Sequence, residues 1–280
     1  MKKITGLRKF LVFLLVLFAG IFVFSAYKTY VLWKQAAQEQ DAFAQLAELV
    51  ARPPAAPEGL PPETRTTETE AASPGHSAEP VSTEAPQRQP QSQYLPLYER
   101  NADFFGWLRI QDTKIDYPVM FTPWDSEYYL RRDFYGEYSR SGTPFMDGGC
   151  DPEGCYYLIY GHHLSAGTMF TDLLKYADED FARSHPIISL DTLYEHREYE
   201  VYAAFYSRIY ADAEQGVFRY YDYLRLSDAE TFQEFLQGVQ NAALYDTGVS
   251  VAYGDELLTL STCNYHTDDG RFALVAKRVK

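Results

Sequence analysis

The sequence predicts a mainly β domain, built as a closed barrel or a sandwich with short flanking helices, behind an N-terminal membrane-spanning helix. Two observations lead to this prediction. About eight β-prone runs follow one another at short intervals, separated by turn residues, which favours a barrel or sandwich over βαβ units. Near the N-terminus, a long apolar run without charge follows a cluster of basic residues.

The first 33 residues predict a signal anchor. Four basic residues within 1–9 precede an uncharged run at 10–27, which Val31, Leu32 and Trp33 extend. Such a run is long enough to span a bilayer, and basic residues stay on the cytoplasmic side. We therefore predict a cytoplasmic tail (1–9), a transmembrane anchor (10–33) and an extracellular remainder, in a single-pass protein of the cell membrane. A cleaved signal peptide is the alternative, but the apolar run is long for one and no good cleavage site follows it.

Three segments of different composition follow the anchor. Residues 34–50 are rich in Ala, Gln, Glu and Leu, which predicts a helical stalk. Residues 51–93 hold nine of the 15 prolines and almost no large apolar side chains, which predicts a disordered linker that holds a domain away from the membrane. Residues 94–280 form the folded domain. This domain carries 16 Lys and Arg against 30 Asp and Glu, which argues against a nucleic-acid partner.

The elements of the domain follow from its apolar patterns. The predicted strands are 106–110, 115–120, 143–146, 156–160, 186–190, 198–206, 256–262 and 271–279. Helices are predicted at 95–105, 169–176 and 227–240. Ser227 and Glu230 match a capping box at the start of the last helix, and Phe232, Phe235, Leu236 and Val239 share one of its faces.

Cys263 is the first candidate for chemistry. It ends an apolar strand and precedes a polar loop, so we expect it at the mouth of the domain. A free cysteine is usually a small core residue, and that alternative stays open from the strand alone. Cys150 and Cys155 flank a turn-forming Asp-Pro-Glu-Gly and are a candidate disulfide, which would leave Cys263 as the odd thiol of an extracellular domain.

Two further strand ends supply groups that suit a reactive thiol. His162 and His163 follow the apolar run 156–161, and a thiol with an imidazole is the minimum for cysteine nucleophilic catalysis. A metal site of His162, His163 and either His185 or Asp147 is the alternative, although consecutive histidines on a strand point to opposite faces. Arg271 opens the strand after Cys263, where a guanidinium can stabilise an oxyanion.

These segments resemble one enzyme family. Thr259-Leu260-Ser261-Thr262-Cys263 resembles the TLxTC signature of sortases, and residues 159–163 resemble their Gly-His segment. Residues 270–277 resemble the closing strand that carries an arginine. Segments 107–110, 115–119, 128–130 and 168–170, together with the helix at 227–240, are similar to class B sortases. The resemblance covers residues 94–280 and implies an eight-stranded sortase-type β-barrel.

The resemblance also implies a reaction. Cys263 would attack the Thr carbonyl of a C-terminal sorting signal on a secreted protein, with His162 as acid and base and Arg271 on the oxyanion. The thioester would pass to an amine of the peptidoglycan cross-bridge or of a pilin, without metal or organic cofactor. Leu130, Ser261 and Thr262 match positions near the substrate groove, and class B resemblance suggests Asn-Pro-x-Thr or Ser/Pro-Pro-x-Thr signals.

Two other functions use the same sequence differently. A thiol hydrolase would form the same thioester and resolve it with water. A non-enzymatic, anchored binding domain would keep Cys263 as a core residue.

Overall fold

The computed structural model describes residues 2–51, with side chains from residue 10 onward, and residues 88–280. Most of the predicted linker, residues 52–87, lies outside the described residues. The N-terminal part is one helix, α1 (Lys2–Ala51), whose stretch from Phe10 onward is long and apolar enough to cross a membrane.

The predicted β-barrel is confirmed. Its strands are β1 (Phe104–Arg109), β2 (Asp116–Phe121), β3 (Phe145–Met146), β4 (Tyr156–Tyr160), β5 (Ile187–Thr192), β6 (His196–Arg208), β7 (Leu257–Cys263) and β8 (Gly270–Arg278). They close in the order β1-β2-β3-β4-β7-β8-β6-β5. The pairs β2–β3 and β4–β7 are parallel and the others antiparallel. All eight predicted strands are present, with ends that differ by a few residues.

The predicted helices differ from the structure more than the predicted strands do. The predicted helix at 95–105 is shorter, because α2 (Leu95–Arg100) ends at Asn101 and the aromatic pair Phe104 and Phe105 already belongs to β1. The Asn101 side-chain amide donates to the Phe134 carbonyl at 2.7 Å, which fixes the chain in an extended form there. The predicted helix at 169–176 is a 3-10 helix, Phe170–Ala177.

The remaining helices lie on either side of β5 and β6 in the chain. The short α3 (Glu179–Ser184) was not predicted. The long α4 (Ala229–Ala242) was, but its cap is Asp228 rather than Ser227, since the Asp228 carboxylate accepts the Thr231 amide at 2.9 Å. The predicted apolar face of α4 is buried.

The end of α1 belongs to the same core as the barrel. Phe43, Leu46 and Val50 are buried, and the Phe43 ring meets the Tyr117 ring of β2 edge-on at 5.1 Å. On the far side of the undescribed segment, the Gln91 amide donates to the Leu193 carbonyl at 2.7 Å. The end of α1 and the start of the second described range therefore both contact the barrel domain, while the predicted linker itself lies outside the described residues.

Candidate active site

Three neighbouring strands meet at one rim of the barrel. In the parallel pair β4–β7, Tyr160 lies opposite Ser261, and the Gly161 amide continues the ladder by donating to the Ser261 carbonyl at 3.1 Å. His162 therefore lies level with Cys263. In the antiparallel pair β7–β8, Arg271 lies directly opposite Cys263.

This register places the predicted catalytic side chains in one row across the sheet. Neighbouring strands are about 4.8 Å apart, so a thiol, an imidazole and a guanidinium come together although 101 residues separate the histidine from the cysteine. The predicted antiparallel neighbourhood of Cys263 and Arg271 is confirmed by this pairing.

The imidazole of His162 is half-buried and held by a carbonyl. Its Nε2 lies 2.8 Å from the Leu130 carbonyl oxygen. Burial lowers the pKa of His162; the Leu130 carbonyl opposes this, and the cations Arg131 and Arg271 lower it further. Most of the imidazole is therefore neutral at pH 7. Because the carbonyl oxygen only accepts, Nε2 carries the hydrogen of this bond in the neutral ring as well as in the imidazolium.

Gly161 brings this segment onto the core. A Cβ atom at position 161 would lie 2.5 Å from the Phe170 ring, so the site accepts only glycine without a shift. The Phe170 amide donates to the His162 carbonyl at 2.9 Å and locks the two segments together. The glycine before the histidine is thus required by packing against the Phe170 ring.

His163 lies in a different environment. Its Nδ1 is buried without a hydrogen-bond partner among the described residues, and its ring lies beside that of Tyr265 at 5.3 Å. Consecutive residues of an extended chain point in opposite directions, so His163 does not share the row of His162.

Arg271 and Cys263 are both half-buried. Nη1 of the guanidinium donates to the backbone carbonyls of Gly270 at 3.0 Å and Asp269 at 3.2 Å. Its other donors make no hydrogen bond within the described part of the chain. The rest of its fork therefore keeps donors of the kind that bind an anionic oxygen.

The predicted substrate-groove residues lie in or near the wall of the site. Ser261 is buried, and its hydroxyl shares a 2.7 Å hydrogen bond with the Tyr220 phenol. Thr262 is also buried, and its hydroxyl has no partner among the described residues. Leu130 is half-buried and offers its carbonyl to His162. That these residues contact a substrate remains a prediction.

The other two cysteines lie away from this row and are free thiols, so the candidate disulfide is not formed in this structure. Burial raises the pKa of Cys150 to about 12, which makes its thiol inert. The half-buried Cys155 donates to the Leu226 carbonyl at 3.5 Å. Within the described ranges, no group of three or more His, Cys, Asp or Glu side chains is arranged to hold a metal ion.

Two residues of the site escaped the sequence reasoning. Tyr220 is fully buried beneath the rim and lies within electrostatic reach of both Arg271 and Cys263. Gly142 packs against the Leu130 carbonyl, because a Cβ atom there would lie 2.5 Å from that oxygen. Neither has a sequence signal of its own: Tyr220 is one of several tyrosines in 220–223, and Gly142 is a loop glycine like others.

A closed barrel with a thiol, an imidazole and a guanidinium on one rim carries the groups that cysteine acyl transfer requires. No protein-family model matches the chain. It is 34% identical over 187 residues to sortase B of Listeria monocytogenes, covering 65% of this chain and 72% of that protein. It is 30% identical over 194 residues to sortase B of Staphylococcus aureus, covering 67% and 75%. The chain belongs to the sortase B family, whose members are cysteine transpeptidases.

Solved structures agree with this assignment. Sortase B from B. anthracis in complex with AAEK1 has a TM-score of 0.66 at 27% identity, covering 89% of this chain and 99% of that one. The Staphylococcus aureus sortase B–substrate complex has a TM-score of 0.60 at 28% identity, covering 69% and 88%. A sortase B complexed with triglycine has a TM-score of 0.60 at 29% identity, also covering 69% and 88%.

Proposed function

We propose that this chain is a membrane-anchored, extracellular transpeptidase that cleaves a C-terminal sorting signal after Thr and transfers the protein to an amine of the cell wall or of a pilin. The observation that carries the proposal is the row formed by His162 just after β4, Cys263 on β7 and Arg271 on β8. Relatives bound to a substrate and to triglycine support a peptide donor and an amine acceptor in general.

The first half of the reaction forms a thioester. His162 takes the proton of the Cys263 thiol, and the thiolate attacks the Thr carbonyl carbon. The carbonyl electrons move to oxygen, where Arg271 stabilises the charge. The tetrahedral intermediate collapses as the C–N bond breaks. His162 gives its proton to the departing amine, and the Leu130 carbonyl holds the ring in position for this step.

The second half reverses the order. The acceptor amine attacks the thioester carbonyl carbon and His162 takes its proton. The C–S bond then breaks to release the Cys263 thiolate, which takes that proton from His162. Because the same groups serve both halves, water can replace the amine. Transfer and hydrolysis then differ only in the acceptor. The half-buried position of the thiol supports restricted access for water.

The anchoring proposal rests on α1. Its apolar stretch begins at Phe10, and six basic and no acidic residues lie within residues 1–34. This asymmetry supports a cytoplasmic N-terminus with the barrel outside. In intact cells, external protease should digest the barrel and spare an epitope tag placed at the N-terminus. Digestion of the tag with the barrel protected would reverse the topology.

The transfer reaction is tested with the full chain in detergent micelles. Fluorogenic peptides carrying Asn-Pro-x-Thr, Ser-Pro-x-Thr or Pro-Pro-x-Thr are incubated with and without triglycine, and products are identified by mass. We expect a triglycine conjugate with at least one peptide. Hydrolysis as the only outcome with every acceptor tried would show a thiol hydrolase instead.

Variants assign the residues in the same assay. Cys263→Ala should abolish both conjugate and hydrolysis product, while the thermal unfolding profile is retained because a half-buried sulfur contributes little packing. Equal activity of Cys263→Ala and wild type would favour the non-enzymatic binding domain. His162→Ala should lose activity and His163→Ala should keep labelling by a substrate-derived thiol trap; the opposite pattern would make His163 the acid.

A further inference from the structure

The extracellular end of α1 contacts the barrel with polar as well as apolar side chains. Phe43, Leu46 and Val50 occupy one stripe of the helix and are buried against the domain. One turn before them, the half-buried Glu39 points its carboxylate at the loop that follows the 3-10 helix Tyr128–Arg131. The helix therefore contacts the barrel through a polar side chain as well as through its apolar stripe.

Glu39 binds this loop through two groups. Its Oε1 accepts the Arg140 backbone amide at 3.0 Å, and its Oε2 accepts the hydroxyl of Ser141. Ser141 is only 3% exposed, so this second bond is shielded from water. A carboxylate held by two donors in such a place fixes the loop backbone more firmly than an exposed contact.

The loop in turn brackets the residue that holds His162. The Thr143 amide donates to the Tyr129 carbonyl at 3.1 Å, and the Ser139 amide donates to the Arg131 carbonyl at 3.0 Å. These two bonds lie on either side of Leu130. Between them, Gly142 packs directly against the Leu130 carbonyl oxygen.

The Leu130 carbonyl therefore has little freedom, and it is this oxygen that lies 2.8 Å from His162 Nε2. Three steps connect the helix to the imidazole: Glu39 to the loop backbone, the loop to Leu130, and Leu130 to His162. Each step is a hydrogen bond or a close packing contact between described residues.

A second set of contacts from the same helical turn reaches the histidine segment from the other side. Gln40 accepts the Tyr117 hydroxyl at 3.3 Å, and that hydroxyl accepts the Met169 amide at 3.1 Å. Met169 has a φ of 57°, which is strained for a residue with a side chain, and it bridges to His163. The helix thus also supports the backbone next to the histidines.

We propose that Glu39 is a positioning residue for His162, so that docking of the juxtamembrane helix sets the orientation of the imidazole in the active site. The proposal rests on the proposed function, because it assigns a catalytic consequence to His162. It makes the helix between membrane and barrel a part of the active-site architecture, not only a tether. An undocked helix would leave the barrel folded and the imidazole poorly held.

The test compares variants of the full chain in detergent micelles. Glu39→Ala and Ser141→Ala remove the same contact from opposite sides, and Glu39→Gln keeps one acceptor oxygen. Asp41→Ala is the matched control, because it removes an exposed acid from the same helix. For each variant we would measure kcat and KM for peptide transfer and titrate His162 by NMR with labelled histidine, with His162→Asn to assign the signal.

We expect Glu39→Ala to lower kcat by about 10- to 100-fold with KM within about twofold, as misplacement of a catalytic group does. Ser141→Ala should resemble it, the double variant should be no worse than Glu39→Ala, and Glu39→Gln should be intermediate. The pKa of His162 should fall further, because the Leu130 carbonyl that raises it is released. Asp41→Ala should match the wild type in every measurement.

A purely structural role of Glu39 predicts different results. If Glu39→Ala and Ser141→Ala lower only the melting temperature, and the folded protein keeps the wild-type kcat and His162 titration, Glu39 is a structural residue and the proposal fails. If the wild type transfers no peptide at all but the His162 titration still moves in Glu39→Ala and not in Asp41→Ala, the positioning contact stands and the proposed reaction is what fails.

Discussion

The Tyr220 phenol and the Ser261 hydroxyl share a hydrogen bond of 2.7 Å within the wall just below Cys263. Both side chains are buried, with Tyr220 at 0% and Ser261 at 1% exposure. Tyr220 belongs to the connection between β6 and β7, so this bond fastens that connection to the strand that carries the thiol.

Tyr220→Phe should therefore lower both stability and activity. It leaves the Ser261 hydroxyl buried without its partner, which costs about 1–3 kcal/mol of unfolding free energy. Ser261→Ala leaves the phenol unpaired in the same way. A double-mutant cycle measured by urea unfolding should show that the double variant loses less than the sum of the single ones.

A second buried pair provides the control for this experiment. Tyr156 donates to the Thr259 hydroxyl at 2.9 Å, and Thr259 lies two residues further than Ser261 from Cys263 along β7. Tyr156→Phe should cost similar stability, yet keep the activity of the folded fraction. Equal loss of activity in Tyr156→Phe and Tyr220→Phe would mean that the Tyr220 bond has no special link to the thiol.

Gly142→Ala should impair the site more than its backbone strain alone explains. Gly142 has a φ of 61°, where a residue with a side chain costs about 1–2 kcal/mol, and the new Cβ would also press on the Leu130 carbonyl. We expect kcat to fall about tenfold or more as His162 loses its fixed partner. Circular dichroism and transfer kinetics would measure the two effects separately.

Gly248→Ala is the matched control for this change. Gly248 has a φ of 76°, and a Cβ atom added there would have no other atom within 4 Å, so this position carries the strain without the clash. The variant should lose stability and keep kcat. Similar kcat values for the two variants would show that the contact between Gly142 and Leu130 is unimportant for catalysis.

The sequence predicts the strands well because their apolar and aromatic runs are long and bounded by turn residues. It also predicts the neighbourhood of Cys263 and Arg271, since Arg271 follows Cys263 by eight positions across a short polar turn. The parallel pairing of β4 with β7 joins segments about 100 residues apart, and nothing local specifies it. The partners of His162 and Ser261 depend on that tertiary arrangement and could not be predicted.

The stalk illustrates a signal that was present but open to two interpretations. Phe43, Leu46 and Val50 recur at the spacing of one helical face, which is typical of a packed helix. Next to a proline-rich segment, the same residues also fit a free spacer helix. Only the barrel surface around Tyr117 decides between the two.

The stability of the barrel should depend on the protonation of His196. Its ring lies 3.0 Å from Glu198 and also contacts Asp191, and the pKa of His196 is raised, chiefly by the hydrogen bond to Glu198. A raised pKa means that the imidazolium stabilises the folded state. This stabilisation is complete below the unfolded pKa of about 6.5 and is lost as pH rises through the higher folded value.

His196→Gln should therefore be less stable than the wild type at pH 6 and nearly equal at pH 9. The side chain is 38% exposed, so the difference at pH 6 should not exceed about 1 kcal/mol. Urea unfolding at the two pH values measures it. A difference that grows toward pH 9 would contradict the assignment.

Arg131 should tune the pH dependence of transfer. Its cation disfavours the imidazolium of His162 and lowers the pKa of that group, after the larger effect of burial. Arg131→Gln removes the charge and keeps a donor for the Arg140 carbonyl, which Arg131 binds at 2.7 Å. The pKa of His162 should rise, so the limb of the kcat/KM profile that follows this group should move to higher pH.

The shift should be largest at low salt, because Arg131 is exposed and its field is screened within about 10 Å at 0.1 M. Arg132→Gln is the control. Arg132 donates to the Tyr128 carbonyl at 3.0 Å and lies over the Tyr128 ring. It is not among the groups that shift the pKa of His162. Its profile should match the wild type. If both variants shift the limb equally, the effect comes from net charge. If Arg131→Gln moves the limb to lower pH, the substitution has displaced the Leu130 carbonyl. The position of the loop, rather than the charge of Arg131, then controls the pKa of His162.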